Sequence, residues 1–189
     1  LSYPPTFYPE SFEDIVNYTT AFCEGTDLAV MLFPVPLWGF ERLHPAAIPV
    51  QMLERLVDEL PTVVAIKAEG GHPHIGGFAE TWNRLSERVT ISMPIEVDAI
   101  PLATLLPLRL IATSNTECLG NRVPAMLAMC REGKVVEAMD LYWRCEPVRK
   151  AAERLGGVGG SNAVHRMGWK YQAWLTGFNG GPLRQPTSR

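Results

Sequence analysis

The stretch TVVAIKAEGG, residues 62–71, decides how this chain folds. A continuous run of β-branched and small apolar residues ends in a single lysine, Lys67, and then in a pair of glycines. This pattern is typical of a parallel strand that is buried on both faces and enters a loop at its carboxyl end. The sequence therefore predicts that Lys67 lies at the edge of a buried sheet.

Two roles are open for Lys67 on these residues alone. Burial disfavours the ammonium form of a lysine, and a neutral amine is a nucleophile toward carbonyl carbon. A lysine at a strand end can instead extend its charge to water or pair with a nearby carboxylate, here Glu69. Position alone does not decide between a catalytic amine and an ordinary ion pair.

The same alternation of strands and helices extends on both sides of this stretch. Further apolar runs predict strands at 27–35, 88–93 and 108–114, while apolar stripes at helical spacing predict helices over 11–24, 49–60, 78–87 and 97–106. Ser11 is the expected N-cap of the first helix, and residues 70–77 are expected to form a loop. Four strands with intervening helices indicate an α/β fold with a parallel sheet.

Beyond Asn115 the pattern becomes entirely helical. Helices are predicted over 123–131, 135–155 and 161–178, with a kink at Pro147 and a flexible joint at Gly156 to Gly160. We therefore expect a sheet-containing part over residues 1–120 and a helical part over residues 121–189.

Composition excludes several classes of protein. The 189 residues carry a net charge of -3 without blocks of like charge, which argues against binding to nucleic acid or to an anionic membrane surface. No apolar run approaches the ~20 residues of a membrane span. The four cysteines lack CxxC spacing, which favours reduced thiols in a cytoplasmic protein.

Several motifs, in a fixed order, resemble those of the dihydrodipicolinate synthase and N-acetylneuraminate lyase family. VAIKAEGG at 64–71 is similar to the family's IKExSG segment, and LFPVP at 32–36 is similar to LYNVP. YPPTF at 3–7 and GGPLRQP at 180–186 are similar to its PYY and GGPxRxP segments. The resemblance spans nearly the whole chain.

The resemblance implies a (β/α)8 barrel followed by a helical C-terminal extension. This chain would then begin near the end of the fourth barrel strand and supply strands five to eight plus the extension. Four strands cannot close an eight-stranded barrel, so we expect a fragment of a longer protein, or two copies that complete one another. The family also implies a homo-oligomer, either a dimer or a tetramer, and no cofactor.

The family's chemistry implies a role for Lys67. It matches the lysine that forms a Schiff base with pyruvate or another 2-keto acid, so that a carbon-carbon bond to an aldehyde can be made or broken. Phe33, Leu110 and Thr113 fall at positions expected to bind substrate. Thr113, with Ser114 and Asn115, could bind a carboxylate or could simply cap the strand end.

The chain departs from the family where polar residues are expected. Phe33 replaces a tyrosine that moves protons, and a phenylalanine cannot be a general acid or base. His72 or His74 could take over that role, or could hold a metal ion for a hydrolase. Trp38 and Phe40 either line the mouth of the pocket or pack ordinarily. These changes suggest a bulky or apolar aldehyde partner.

Two function classes remain open on the sequence. The first is a lyase or aldolase that acts on a 2-keto acid through Lys67. The second is a catalytically impaired relative that serves as a binding or structural subunit. Phe33 supports the second class, whereas Lys67 at the end of an intact strand supports the first.

Overall fold

The computed structural model describes residues 1–4, 6–35, 38–113, 119–159, 168, 170–171, 173–175 and 177, with the backbone alone at 152 and 155–159. In the described residues the chain alternates between helices and strands and then becomes helical. The strands are β1 (Val30–Leu32), β2 (Val63–Lys67) and β3 (Thr90–Ser92). The helices are α1 (Phe12–Glu24), α2 (Val50–Glu59), α3 (His74–Leu85), α4 (Glu96–Ala103), α5 (Arg122–Arg131), α6 (Val135–Arg144) and α7 (Glu146–Gly159).

The three strands form one parallel sheet in the order β1-β2-β3. Strand β2, formed by the apolar run that ends at Lys67, is the central strand, and the α/β class is confirmed. Val63, Ala65 and Ile66 are buried, but Val64 keeps 46% of its surface exposed. Successive side chains of a strand point to opposite faces. The expectation of equal burial on both faces was therefore wrong at Val64.

The predicted fourth strand is reduced to one bridge. Leu110 pairs in parallel with Ser92, and residues 108–113 contain no ladder beyond this single bridge. The amide of Ala112 donates to the Ser92 hydroxyl oxygen, at 2.8 Å, rather than to a strand carbonyl. A side chain that accepts the next amide competes with the backbone ladder, so the pairing does not propagate.

Helix α1 begins where its sequence predicts. Ser11 is the N-cap, and a capping box joins it to Asp14 in both directions. The Asp14 carboxylate accepts from the amides of Ser11 and Glu10, and these hydrogen bonds lower its pKa. Helix α2 likewise follows Pro49, whose fixed φ suits a helix start.

Helix α3 begins at His74, four residues before its predicted start at Phe78. The loop expected over 70–77 is correspondingly shorter. Glycines at 76 and 77 argue for a loop by propensity, yet both are helical here. A Cβ at Gly77 would lie 2.0 Å from the carbonyl oxygen of Gly70, so a glycine is required for this close approach.

The single long helix predicted over 135–155 is instead two helices, α6 and α7. They meet at Cys145, and Pro147 lies in the first turn of α7 rather than at a kink inside one helix. Proline lacks the amide that a continuing helix needs, but it fits a helix start. The expected joint at Gly156–Gly160 was wrong as far as Gly159, because α7 runs through to that residue.

Most of the helix predicted over 161–178 lies outside the described residues, and those described at 168, 170–171 and 173–175 are helical. The chain divides into two compact units. One comprises residues 1–99 and 108–112 and contains the sheet, and the other comprises 100–107 and 113–189. The predicted boundary after residue 120, between barrel and extension, stays a prediction. Within the described part of the chain, no helix has the length and apolar character needed to cross a membrane.

Candidate functional site

The carboxyl edge of the parallel sheet brings together residues from four chain segments. Leu32 pairs with Ile66, so the next residue in each segment, Phe33 and Lys67, emerges at the same edge. Lys67 in turn pairs with Ser92, which bridges to Leu110. Three predicted site residues, Phe33, Lys67 and Leu110, therefore lie at this one edge. In α/β folds, reactive groups cluster at the carboxyl ends of parallel strands.

The amine of Lys67 has an aromatic and an acidic neighbour. Its Nζ lies 4.0 Å from the centroid of the Phe33 ring and 3.7 Å from Oε2 of Glu69. The side chains of Lys67 and Glu69 are 19% and 21% exposed, so the pair is largely withdrawn from water but still reachable. The ion pair anticipated from sequence is present.

The aromatic side of this edge continues into a cluster of rings. The indole of Trp38 meets Phe33 edge to face at 6.0 Å, and its other neighbours are Tyr3 and Phe40. Phe40 is fully buried, so its role is packing. Trp38 is half-buried and connects that packing to the ring beside Lys67. Trp38 and Phe40 were expected either to line the mouth of the pocket or to pack ordinarily, and for Phe40 ordinary packing holds.

The loop after Lys67 folds back sharply. The Glu69 amide donates to the Lys67 carbonyl at 3.1 Å, a turn that brings the Glu69 side chain back beside the lysine. Gly71 follows with φ +87, a conformation that favours glycine, and a Cβ at Gly70 would lie 2.3 Å from the Ala46 carbonyl oxygen. The glycines at 70 and 71 therefore allow this turn.

The two histidines lie on the far side of this loop. His74 Nδ1 is 3.0 Å from the Glu69 carbonyl oxygen, and the rings of His72 and His74 meet edge to face. In the described residues, neither imidazole forms a hydrogen bond with Lys67, so a proton-transfer role for them stays a prediction. No group of three or more His, Cys, Asp or Glu side chains gathers as potential metal ligands within the described ranges.

Thr113 is half-buried and belongs to the second compact unit, whereas Lys67 belongs to the first. Ser114 and Asn115 lie outside the described residues. A carboxylate site at Thr113, Ser114 and Asn115 therefore stays a prediction.

Ser92 is a residue at this edge that the sequence did not single out. Its side chain is fully buried, its hydroxyl accepts from the Ala112 amide, and its carbonyl accepts from the Ala68 amide at 3.0 Å. It therefore ties the residue after Lys67 to the segment that contains Leu110. Sequence reasoning could have found Ser92, because it is a polar residue at the end of the apolar strand that follows the lysine strand.

Comparison with known proteins gives matches only among solved structures. No family model matches the sequence, and no curated protein matches it. PhdJ, solved with a bound substrate intermediate, superimposes with a TM-score of 0.75 at 21% identity, covering 97% of this chain and 55% of that one. Dihydrodipicolinate synthase from Bacteroides thetaiotaomicron gives 0.72 at 13% identity, covering 97% and 58%.

A third solved structure is 2-keto-3-deoxygluconate aldolase from Sulfolobus in complex with D-KDPG. Its TM-score is 0.68 at 17% identity, covering 96% of this chain and 55% of that one. The chain thus spans little more than half the length of the solved proteins it matches. At these identities the comparison establishes the fold, and it agrees with the resemblance read from the sequence motifs. The chain has the fold of part of the (β/α)8 barrel of dihydrodipicolinate synthase and its structural relatives.

Proposed function

We propose that this chain carries the reactive lysine of a lyase or aldolase that forms a Schiff base with pyruvate or another 2-keto acid. The observation that supports this most is the position of Lys67. It ends the central strand of a parallel sheet, and its nitrogen lies near both the Phe33 ring and the Glu69 carboxylate. Sequence motif, strand position and partial barrel fold all point to this lysine.

The reaction begins when the Lys67 amine attacks the ketone carbon of the 2-keto acid. Loss of water leaves an iminium, which withdraws electrons from the adjacent carbon. Removal of a proton from that carbon gives an enamine, which adds to the carbonyl of an aldehyde. The reverse sequence breaks the same carbon-carbon bond.

The surroundings of Lys67 favour an apolar aldehyde. The Phe33 ring faces the amine, and the Trp38 indole continues the aromatic surface. Leu110 adds a further apolar position at the same sheet edge. Aromatic and aliphatic side chains bind apolar substrates by contact area, with few directional hydrogen bonds. The 2-keto acid and such an aldehyde are therefore the proposed small-molecule partners; a homo-oligomer and a cytoplasmic location stay predictions.

Trapping with borohydride tests the proposal. The 189-residue chain, and the same chain fused behind the first half of the dihydrodipicolinate synthase barrel, are incubated with pyruvate and reduced, and peptide mapping locates the adduct. We expect a reduced pyruvyl group on Lys67, abolished by Lys67→Met. Lys134 is a matched internal control, because it too pairs with a glutamate two residues away, Glu132, but is exposed.

Labelling of Lys67 without labelling of Lys134 supports the proposal in either form of the protein. If neither form is labelled while circular dichroism shows that both are folded, the Schiff-base proposal is wrong. The alternative of a binding or structural subunit then takes its place. Equal labelling of Lys67 and Lys134 would also contradict it, because unselective imine formation needs no site.

A further inference from the structure

We propose that Glu69 carries the protons of the amine chemistry at Lys67, an inference that rests on the proposed function. Schiff-base formation moves protons between nitrogen and oxygen several times, so a group that both accepts and donates them must lie beside the amine. Glu69 is the one carboxylate in ion-pair contact with Lys67 in the described part of the chain.

The other close neighbour of the nitrogen cannot transfer protons. The centroid of the Phe33 ring lies 4.0 Å from Nζ of Lys67, and the ring has no group that exchanges protons. It stabilises a cation on its face, which suits the ammonium and the iminium alike. The two neighbours therefore have separate roles, because the ring accommodates positive charge and the carboxylate transfers protons.

Backbone hydrogen bonds hold Glu69 beside Lys67. The hydrogen bond from the Glu69 amide to the Lys67 carbonyl turns the chain immediately after the lysine. His74 Nδ1 contacts the Glu69 carbonyl oxygen from the other side, at 3.0 Å. Because both backbone polar groups of Glu69 are held, its side chain returns to the amine without a large loss of conformational entropy at each step.

The proton balance closes with Glu69 alone. Its carboxylate takes one proton from the Lys67 ammonium, and the free amine attacks the ketone carbon as the carbonyl electron pair moves to oxygen. The carboxylic acid protonates that oxygen, and the carboxylate then takes the second proton from nitrogen. Returning this proton to the hydroxyl releases water, and the nitrogen lone pair forms the carbon-nitrogen double bond. The products are one iminium, one water and the original carboxylate.

The test compares rates of adduct formation at Lys67 with pyruvate as the probe. The form of the protein that is labelled most strongly is quenched with borohydride at successive times. We expect Glu69→Gln, which keeps the shape but cannot accept a proton, to slow labelling about 100-fold or more. Glu69→Asp should lie between Glu69→Gln and the native chain. Glu132→Gln is the matched control at the exposed pair, and should label Lys67 at the native rate.

Chemical rescue separates proton transfer from a structural role. Formate added to Glu69→Ala should restore part of the labelling rate, since a small carboxylate can occupy the vacated space. A native rate in Glu69→Gln would overturn the inference while leaving the Schiff base intact. A slow Glu69→Ala variant that formate does not accelerate would also overturn it. Absence of any adduct on native Lys67 would instead overturn the proposed function, and this inference with it.

Discussion

Two loops that follow neighbouring strands are held in place by opposite means. The described part of the loop after β1, residues 33–35 and 38–49, is organised by large rings, with Phe40 buried against Tyr3 and Trp38. The loop after β2, residues 68–73, depends on glycines, because the backbone of another segment packs directly against Gly70, where a side chain would not fit. The two loops are in contact where the Ala46 carbonyl oxygen lies against Gly70. Each loop supplies one neighbour of the Lys67 amine, Phe33 from the first and Glu69 from the second.

The difference teaches what each loop tolerates. Ring packing stabilises through buried area, which falls gradually as side chains become smaller. Backbone packing at a glycine leaves no room for even one methyl group, so the smallest substitution is already too large. The aromatic loop should therefore be sensitive to deletion of atoms and the glycine loop to their addition.

The largest expected effect is on the aromatic loop. Phe40→Ala removes a fully buried ring and should lower the free energy of unfolding by about 3–5 kcal/mol. Urea denaturation followed by circular dichroism measures the change. Phe22→Ala is the control, because Phe22 is 43% exposed, and it should cost about 1 kcal/mol. Equal losses in the two variants would show that the ring cluster does not organise the loop.

Alkaline pH should weaken the same cluster through Tyr3. Burial raises the pKa of Tyr3 from 10.0 to about 12. The Thr19 hydroxyl donates to the Ile15 carbonyl, so the Tyr3 hydroxyl donates to Thr19. Ionisation would abolish this donor inside the core.

The direction of the pH dependence of stability follows from the folded-state and unfolded-state pKa values of Tyr3. Because the folded-state pKa lies above the unfolded value, the stabilisation is fully present below pH 10 and is lost as pH rises through 12. The loss approaches about 3 kcal/mol, at about 1.4 kcal/mol for each pH unit. Urea denaturation at pH 9 and pH 12 measures it. Tyr3→Phe should lack this component, whereas Tyr8→Phe, at an exposed position, should keep it. Identical pH dependence in both variants would contradict the assignment to Tyr3.

The smallest of the three effects, and the sharpest contrast, is in the first turn of helix α3, which packs against the glycine loop at Gly70. A Cβ at Gly77 would lie 2.0 Å from the Gly70 carbonyl oxygen, so Gly77→Ala should destabilise by about 1–3 kcal/mol. A Cβ at Gly76 meets nothing within 4 Å, and Gly76→Ala should stabilise helix α3 by about 0.5–1 kcal/mol. Both changes add one methyl group to the first part of the same helix. Melting temperatures that shift in the same direction would refute the backbone-contact explanation.

Much of the fold could be predicted because its signals are local. The apolar run before Lys67 has no helical period, Ser11 precedes an amphipathic run with an acidic residue three positions on, and Pro49 opens a helix. Each of these patterns depends on residues close in sequence. The parallel sheet followed from the order of the predicted strands and helices along the chain, and the partial barrel was implied by the family resemblance.

The errors occurred where a distant group changed a local preference. The strand predicted at 108–114 gave way because the Ser92 hydroxyl took the Ala112 amide. The glycines before Phe78 were interpreted as loop residues, but Gly77 is helical and is a glycine because the Gly70 carbonyl oxygen leaves no room for a Cβ. Glycine propensity also failed near residue 156, where α7 continues to Gly159. Propensity records an average over contexts, and these contacts depart from it.

The candidate site divides in the same way. A lysine at the carboxyl end of a buried strand is a property of the sequence, because strand direction and apolar pattern are both encoded locally. The ion pair with Glu69 was one of the two roles that the sequence offered for this lysine. That the Phe33 ring lies beside the same nitrogen, with Ser92 and Leu110 at the same sheet edge, was decided only by tertiary structure. Register between parallel strands and the turn after Lys67 depend on hydrogen bonds between residues that the sequence alone does not pair.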